Sequence, residues 1–240
     1  MSDIGYLALV LDAPMQSWGF SSRFQHRTTG LHPTKSGLIG LLCAALGLAK
    51  GSAEERKMLP ALAKLKMTSI AIPREVRNIA APLPVLRLED YHTVLGTRRA
   101  SGKLDSDAVV TRRQYLLDAR FGVILAGDHT LLKRVAAALQ DPVWGVWFGR
   151  KSCLPCSPIC CGLFDAELLA RRKLIGDRPI EEFTIVAEVE NFAEGTDSMS
   201  DQPISFGDGT TSGPDKRRFA VRRIKVVPGR NPKSAIENPK

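Results

Sequence analysis

Apolar and polar positions along the chain switch repeatedly between two periods. Residues 6–11 (Tyr-Leu-Ala-Leu-Val-Leu) are almost continuously apolar, as expected of a first strand covered on both faces. Asp12-Ala13-Pro14 closes it, and a polar, basic loop follows. Residues 33–47 then repeat Leu38, Leu41, Leu42, Ala45 and Leu46 at helical spacing, with Gly47 as the stop. Residues 52–66 predict a second, more polar helix, and residues 68–72 a strand ending at Pro73. Between 74 and 118 the periodicity decays around Pro82 and Pro84. Two β-branched, aromatic stretches, 90–96 and 110–116, flank a Gly/Ser/Lys/Asp tip there, which predicts a long β-hairpin leaving the main body. Residues 121–125 return as a core strand. Residues 129–140 form an amphipathic helix stopped by Asp141-Pro142, and 143–148 read as another strand.

The order strand–helix–strand, strand–helix–strand predicts an α+β fold with a ferredoxin-like, RRM-like palm over 1–149. The hairpin at about 74–118 is an insertion into it. A smaller β-rich part follows over 150–227, with a strand at 183–189, a Gly/Ser/Asp/Thr loop at 191–214 and an edge strand at 218–227. Residues 228–240 have the Pro/Asn/Lys composition of a disordered basic tail.

The helix at 33–47 carries the first candidate chemistry. Thr34 or Ser36 can cap it, and Lys35 with two hydroxyls at a helix N-terminus suits an anion such as phosphate. A nucleotide-binding P-loop does not fit. Thr34 stands where glycine must precede the lysine, and Gly30 is one residue too close. Gly37, Gly40 and Ala44 make a stripe of small residues that either packs under a sheet or leaves room for a ligand.

Charge sharpens the picture. The chain has 34 basic and 25 acidic residues, a formal net charge of +9, with nine basic against two acidic residues from Asp215 onward. This excess favours a polyanionic partner, nucleic acid ahead of a membrane surface. No apolar run approaches membrane-spanning length and no signal peptide is evident, so a cytoplasmic location is expected. Five cysteines, an odd number, point to reduced thiols. Cys153-x-x-Cys156-x-x-x-Cys160-Cys161 lacks the second ligand pair of a structural zinc site, so neither metal nor cofactor is expected.

Five motifs occur in order: Pro14-Met15-Gln16-Ser17-Trp18-Gly19, the 33–42 segment, Asp90-Tyr91-His92-Thr93-Val94-Leu95-Gly96, Arg113-x-Tyr115-Leu116-x-Asp118-Ala119 and Gly149-Arg150-Lys151-Ser152-Cys153. Together they resemble the CasD family, the type I-E CRISPR Cascade subunit that caps the 5′ handle of the guide RNA (crRNA). Asp201-Gln202-Pro203 and Arg218-Phe219-Ala220-Val221-Arg222 match more loosely. The resemblance implies a RAMP-superfamily protein whose palm holds the handle and whose hairpin forms a thumb reaching the backbone subunit (CasC family). It also implies contact with the large subunit (CasA family), and target DNA is a further candidate partner. Processing belongs to a separate endoribonuclease in that system, so no catalytic residue is expected here.

The residues expected to touch RNA are Arg23 and Arg27 in the basic loop, Lys35 and Ser36 at the helix end, and Tyr91 and His92 in the hairpin. Arg112 and Arg113 at the hairpin base and Arg150, Lys151 and Ser152 in the glycine-led turn complete the set. Each also has a plain structural reading as a solvated or capping residue. Tyr91 and His92 support one alternative, since type I-C relatives cut their own precursor: metal-independent cleavage of CRISPR repeat RNA by general acid–base chemistry. Trp18, Trp144 and Trp147 are expected to pack rather than stack on RNA.

Overall fold

The computed structural model describes residues 3–22, 25–74, 85–98, 101–104, 107–208 and 216–229. The chain runs β1 (Ile4–Asp12), β2 (Met15–Gln16), β3 (His26–Arg27), α1 (Lys35–Ala45), α2 (Ala53–Lys64) and β4 (Lys66–Ala71). It continues with β5 (Leu86–Val94), β6 (Val109–Leu117), β7 (Arg120–Asp128), α3 (His129–Gln140), β8 (Cys160–Phe164), α4 (Glu167–Ile175), β9 (Thr184–Glu188), β10 (Asp197–Ser205) and β11 (Arg218–Val227).

One antiparallel sheet, in the order β10-β11-β9-β4-β7-β1-β8, carries the molecule. Its β4-β7-β1-β8 half, with α1–α2 and α3 as crossovers, is the expected ferredoxin-like palm. β1 is apolar throughout because both faces are covered. Leu7, Leu9 and Leu11 pack with Leu38, Leu42, Leu62, Leu132 and Val135 of α1, α2 and α3. Ala8 and Val10 meet Ala170, Leu174 and Phe183 on the opposite face, where α4 lies. Local chemistry starts each palm helix. The Thr34 hydroxyl accepts from Gly37 N–H, Ser52 accepts from Glu55 N–H at 3.1 Å, and Asp128 accepts from Leu131 N–H at 2.7 Å.

The hairpin forms as expected, with β5 paired to β6 from Leu86↔Leu117 to Val94↔Val109. It is not free-standing. The other edge of β6 pairs with β2 at Leu116–Leu117 and with β3 at Arg112–Arg113, making a second, four-stranded sheet. Much of the 74–84 lead-in, the tip around 99–106 and the tail from 230 onward fall wholly or partly outside the described residues.

Four expectations are corrected. Residues 143–148 are an irregular crossing rather than a strand. Val143 and Trp144 donate backbone hydrogen bonds to Ala45 and Ala44 at the end of α1 instead. The fourth palm strand is β8, so a boundary after 149 cuts through the palm. Within the expected 191–214 loop lies β10. Its alternation is hidden by Asp, Ser and Pro, and it forms because β11 offers it a partner. β11 is therefore an inner strand between β10 and β9, and β10 is the edge.

Candidate nucleic-acid interface

The pattern Met15-Gln16-Ser17-Trp18-Gly19 is a knot that ties the two sheets together. Gln16 donates through Nε2 to the carbonyls of Leu11 (3.0 Å) and Ala119 (2.6 Å), and its Oε1 accepts from Trp18 Nε1 at 2.9 Å. Trp18 is buried against Phe148, as expected of a packing residue. Its ring explains Gly37: a Cβ there would approach the indole to 3.1 Å and Thr34 Oγ1 to 2.9 Å. Gly40, by contrast, has room for a side chain, since a Cβ there would meet only the Phe206 ring, at an ordinary contact distance of 3.8 Å.

The glycine-led turn closes onto this knot. Ser17 N–H donates to Phe148 O at 3.0 Å, and Phe148 N–H donates to Cys153 O at 2.8 Å. Gly149 has φ +93°, and a Cβ would lie 1.7 Å from the Ser17 carbonyl oxygen, so only glycine fits. Arg150 is thereby carried across the gap between the two sheets. Its Nη1 donates to Gln114 O (3.1 Å), its Nη2 donates to Arg27 O (2.9 Å), and its guanidinium lies 4.4 Å above the Tyr115 ring. Arg150 is a clasp as well as a cation.

Around that clasp three cavities run into one another. The first, about 910 Å³, lies under the hairpin between Asp90, His92, Arg113 and Tyr115 on one side and Trp147, Arg150, Lys151 and Ser152 on the other. The second, about 460 Å³, joins Ser17, Arg27, Thr34, Ser36, Arg150, Arg217 and Phe219. The third, about 370 Å³, is more apolar and is walled by Gly40, Leu41, Ala44, Trp144, Trp147 and Phe206. Arg150 borders the first two, and Ser36, Gly37 and Arg217 border the last two. The result is a basic cleft with hydroxyls in its middle and aromatic walls at its ends, a chemistry that matches phosphates and unstacked bases.

The structure sorts the sequence candidates. Arg27, Ser36, His92, Arg113, Arg150, Lys151 and Ser152 all line the cleft. The expectation for Lys35 is corrected: its side chain is 0% exposed and its Nζ is held by Glu188 at 2.8 Å. Burial is the main cause that lowers its pKa, and the Glu188 bond opposes the fall. Its ammonium therefore faces inward, because the first turn of α1 docks on β9 and β10. Arg23 lies outside the described residues. Strand alternation divides the hairpin candidates. Asp90, His92, Thr111 and Arg113 share one face, while Tyr91 and Arg112 stand on the other. Tyr91 borders the cavity but is 67% exposed. Arg112 Nη1 is 3.8 Å from Glu89.

His92 Nδ1 is 3.4 Å from Asp90 Oδ2, and Arg113 Nε donates to Thr111 Oγ1 at 3.0 Å. The Cys43 thiol in the third cavity is pushed up to about 12 by burial and by the nearby Glu55 carboxylate, which keeps it a neutral wall residue. Trp144 and Trp147, expected to be strand or core residues, are cavity walls. Arg217 was missed by sequence reasoning, although it sits in the basic run 216–218. Its guanidinium rests 4.7 Å from the Phe219 ring, has no carboxylate partner among the described residues, and has its pKa lowered by burial. No grouping of three or more metal-ligating side chains occurs among the described residues, and none of their helices is long and apolar enough to cross a membrane.

A ferredoxin-like sheet with a hairpin arm and a basic cleft at their junction defines a class of α+β fold whose cleft has the charge to receive a polyanion. Comparison with known proteins makes this particular. Residues 6–225 match the family described as CRISPR-associated protein (Cas_Cas5), and the chain belongs to that family. It is 34% identical over 166 residues to the CRISPR system Cascade subunit CasD of Escherichia coli (strain K12), spanning 68% of this chain and 72% of the relative. Two solved structures are similar over nearly the whole length. One chain belongs to a CRISPR RNA-guided surveillance complex (TM-score 0.69, 28% identity, 94% of this chain and 95% of that one). The other is described as the crystal structure of a Cas protein (TM-score 0.61, 32% identity, 93% and 95%).

Proposed function

We propose that this protein is the guide-RNA-binding subunit of a type I-E Cascade surveillance complex, in which its cleft caps the 5′ handle of the crRNA. The observation that carries this reading is the cleft itself. Four segments distant in sequence (residues 17–22 with 27–28, the start of α1, the β5–β6 hairpin and the 149–152 turn) converge with Arg217 on one basic surface. Arg27, Arg113, Lys151 and Arg217 supply charge for phosphates, and Ser36 and Ser152 supply hydroxyls. The aromatic walls suit bases turned out of a stack. The hairpin, with exposed Leu86, Leu88, Leu95 and Leu104, is the arm that docks on the backbone subunit. The large subunit is the second protein partner.

In this reading the chain binds RNA and cuts nothing. Among the described residues, His92 beside Asp90, in a cavity with Arg113, is the arrangement that favours the alternative of repeat-RNA cleavage. Tyr91 borders the same cavity from the opposite strand face, 67% exposed, and is not held against His92.

The test is a titration of the purified chain with guide RNA bearing its native 5′ handle, against RNA of the same length with the handle scrambled. The native handle should bind at least tenfold more tightly, and affinity should fall steeply with salt as phosphate counterions are released. Equal affinity for both RNAs would reduce the protein to a general basic RNA binder.

A further inference from the structure

The N-terminus of α1 is already occupied by an anion of the protein's own. The Lys35 backbone N–H donates to Asp201 Oδ2 at 2.7 Å, so a β10 carboxylate sits where that helix end would draw a phosphate. Asp201 is gripped by Arg222 through two bonds, Nε–Oδ1 at 2.6 Å and Nη2–Oδ2 at 2.9 Å. Arg222 Nη1 lies 3.8 Å from Glu188 Oε2. Glu188 accepts from Lys35 Nζ at 2.9 and 2.8 Å and from the Met67 N–H at 3.3 Å, which closes the ring. Lys35 is 0% exposed, Asp201 2% and Arg222 6%. Two cations and two carboxylates from α1, β9, β10 and β11 thus compensate one another inside the protein.

Stability alone is a poor reason for such a ring, since well-packed apolar side chains commonly replace buried ion pairs without loss. Direction is what apolar packing lacks. The two-pronged Arg222–Asp201 contact and the Asp201–Lys35 amide bond fix the first turn of α1 against β10 and β11. The elements so joined run on into the cleft. Ser36 and Gly37 follow Lys35 directly, Phe206 follows β10, and Arg217 immediately precedes β11.

We infer that the Lys35–Glu188–Arg222–Asp201 ring is the positioning device of the cleft. It sets the α1 wall (Ser36, Gly37, Gly40) at its working distance from the Arg217–Phe219–Phe206 wall without touching RNA itself. The inference rests on the RNA-binding reading above. It makes β9–β11 a requirement for RNA binding rather than an appendage to the palm.

The test measures affinity for handle-bearing guide RNA across a salt series, alongside circular dichroism and thermal midpoint. The Asp201→Leu/Arg222→Leu double variant removes one charge of each sign, and with them both the fork and the acceptor of the Lys35 amide. It should fold with a wild-type spectrum yet bind RNA at least tenfold more weakly, with the log–log salt slope unchanged. Arg222→Lys keeps the charge but loses the fork, and should weaken binding in the same way; it supplies the measurement if the double variant does not fold. Arg113→Ala, a direct phosphate contact in the reading above, should instead flatten the slope by about one.

Folded ring variants that bind as tightly as wild type overturn the inference and leave the RNA reading intact. A slope flattened by about one in Lys35→Met also overturns it, since Lys35 would then be a phosphate contact. Absence of RNA binding by the wild type overturns both.

Discussion

Gly149 shows how much one residue decides here. The contact between a Cβ at 149 and the Ser17 carbonyl has nowhere to relax, because Ser17 and Phe148 are bonded backbone to backbone. Gly149→Ala should cost about 3 kcal/mol, a mix of strain at positive φ and overpacking. A thermal melt should show that loss as a midpoint lower by roughly 6–12 °C in a chain of this size. RNA affinity should fall as well, because the turn carries Arg150, Lys151 and Ser152; a midpoint within 2 °C of wild type would contradict the packing account. At this scale the sequence was a partial guide. The cleft positions of Ser36 and the 150–152 turn were legible, since residues beside glycine or a cap have few places to point, and that of Arg113 followed from strand alternation in β6. Lys35 was not, because Glu188 is 153 positions away and the two meet only when β9 joins β4.

At the scale of elements, the hairpin is anchored more firmly than an isolated two-stranded ribbon, which is marginal in water. β2 and β3 hold its base along β6, and Arg74 ties the entry to Asp12 by an ion pair and to Asp118 by donating to its carbonyl. Replacing residues 95–107 by a two-residue Asn-Gly turn should therefore leave the base intact. The shortened chain should keep the thermal midpoint within about 3 °C, since the deleted segment lies beyond β5 and β6 and none of its described residues belongs to either core. In pull-down with the backbone subunit, the shortened hairpin should lose at least tenfold in affinity while RNA binding by the cleft persists. Retained pull-down would move the docking surface away from the hairpin. Strong periodicity made α1, α2, α3 and β7 legible. β8, α4 and β10 were obscure because short, mixed segments take their structure from the neighbours they pair with.

At the scale of the whole molecule, the C-terminal strands extend the palm sheet instead of forming a second body. The cleft therefore draws on segments from the N-terminal loop to the start of β11. The excess positive charge is not spread evenly in effect, because Lys35 and Arg222 are spent on internal carboxylates and Arg27, Arg113, Lys151 and Arg217 remain for the cleft. If the molecule only binds, repeat RNA incubated with it in EDTA at 37 °C should stay intact on a denaturing gel. A defined cut that disappears in His92→Ala would instead make His92 a catalytic base. That outcome would fit its 3.4 Å approach to Asp90.

By itself the sequence determined three of the palm's four strands and its helices, the hairpin, the basic character and the family, because these rest on local periodicity, capping and short contiguous motifs. Only the tertiary structure decided what those motifs face. It turned Lys35 inward to Glu188, filled the helix end with Asp201, made β11 an inner strand and brought Arg217 to the cleft. The physical reason is the same in each case. Burial and long-range pairing choose a side chain's partner, and neither quantity is written in the residues immediately around it.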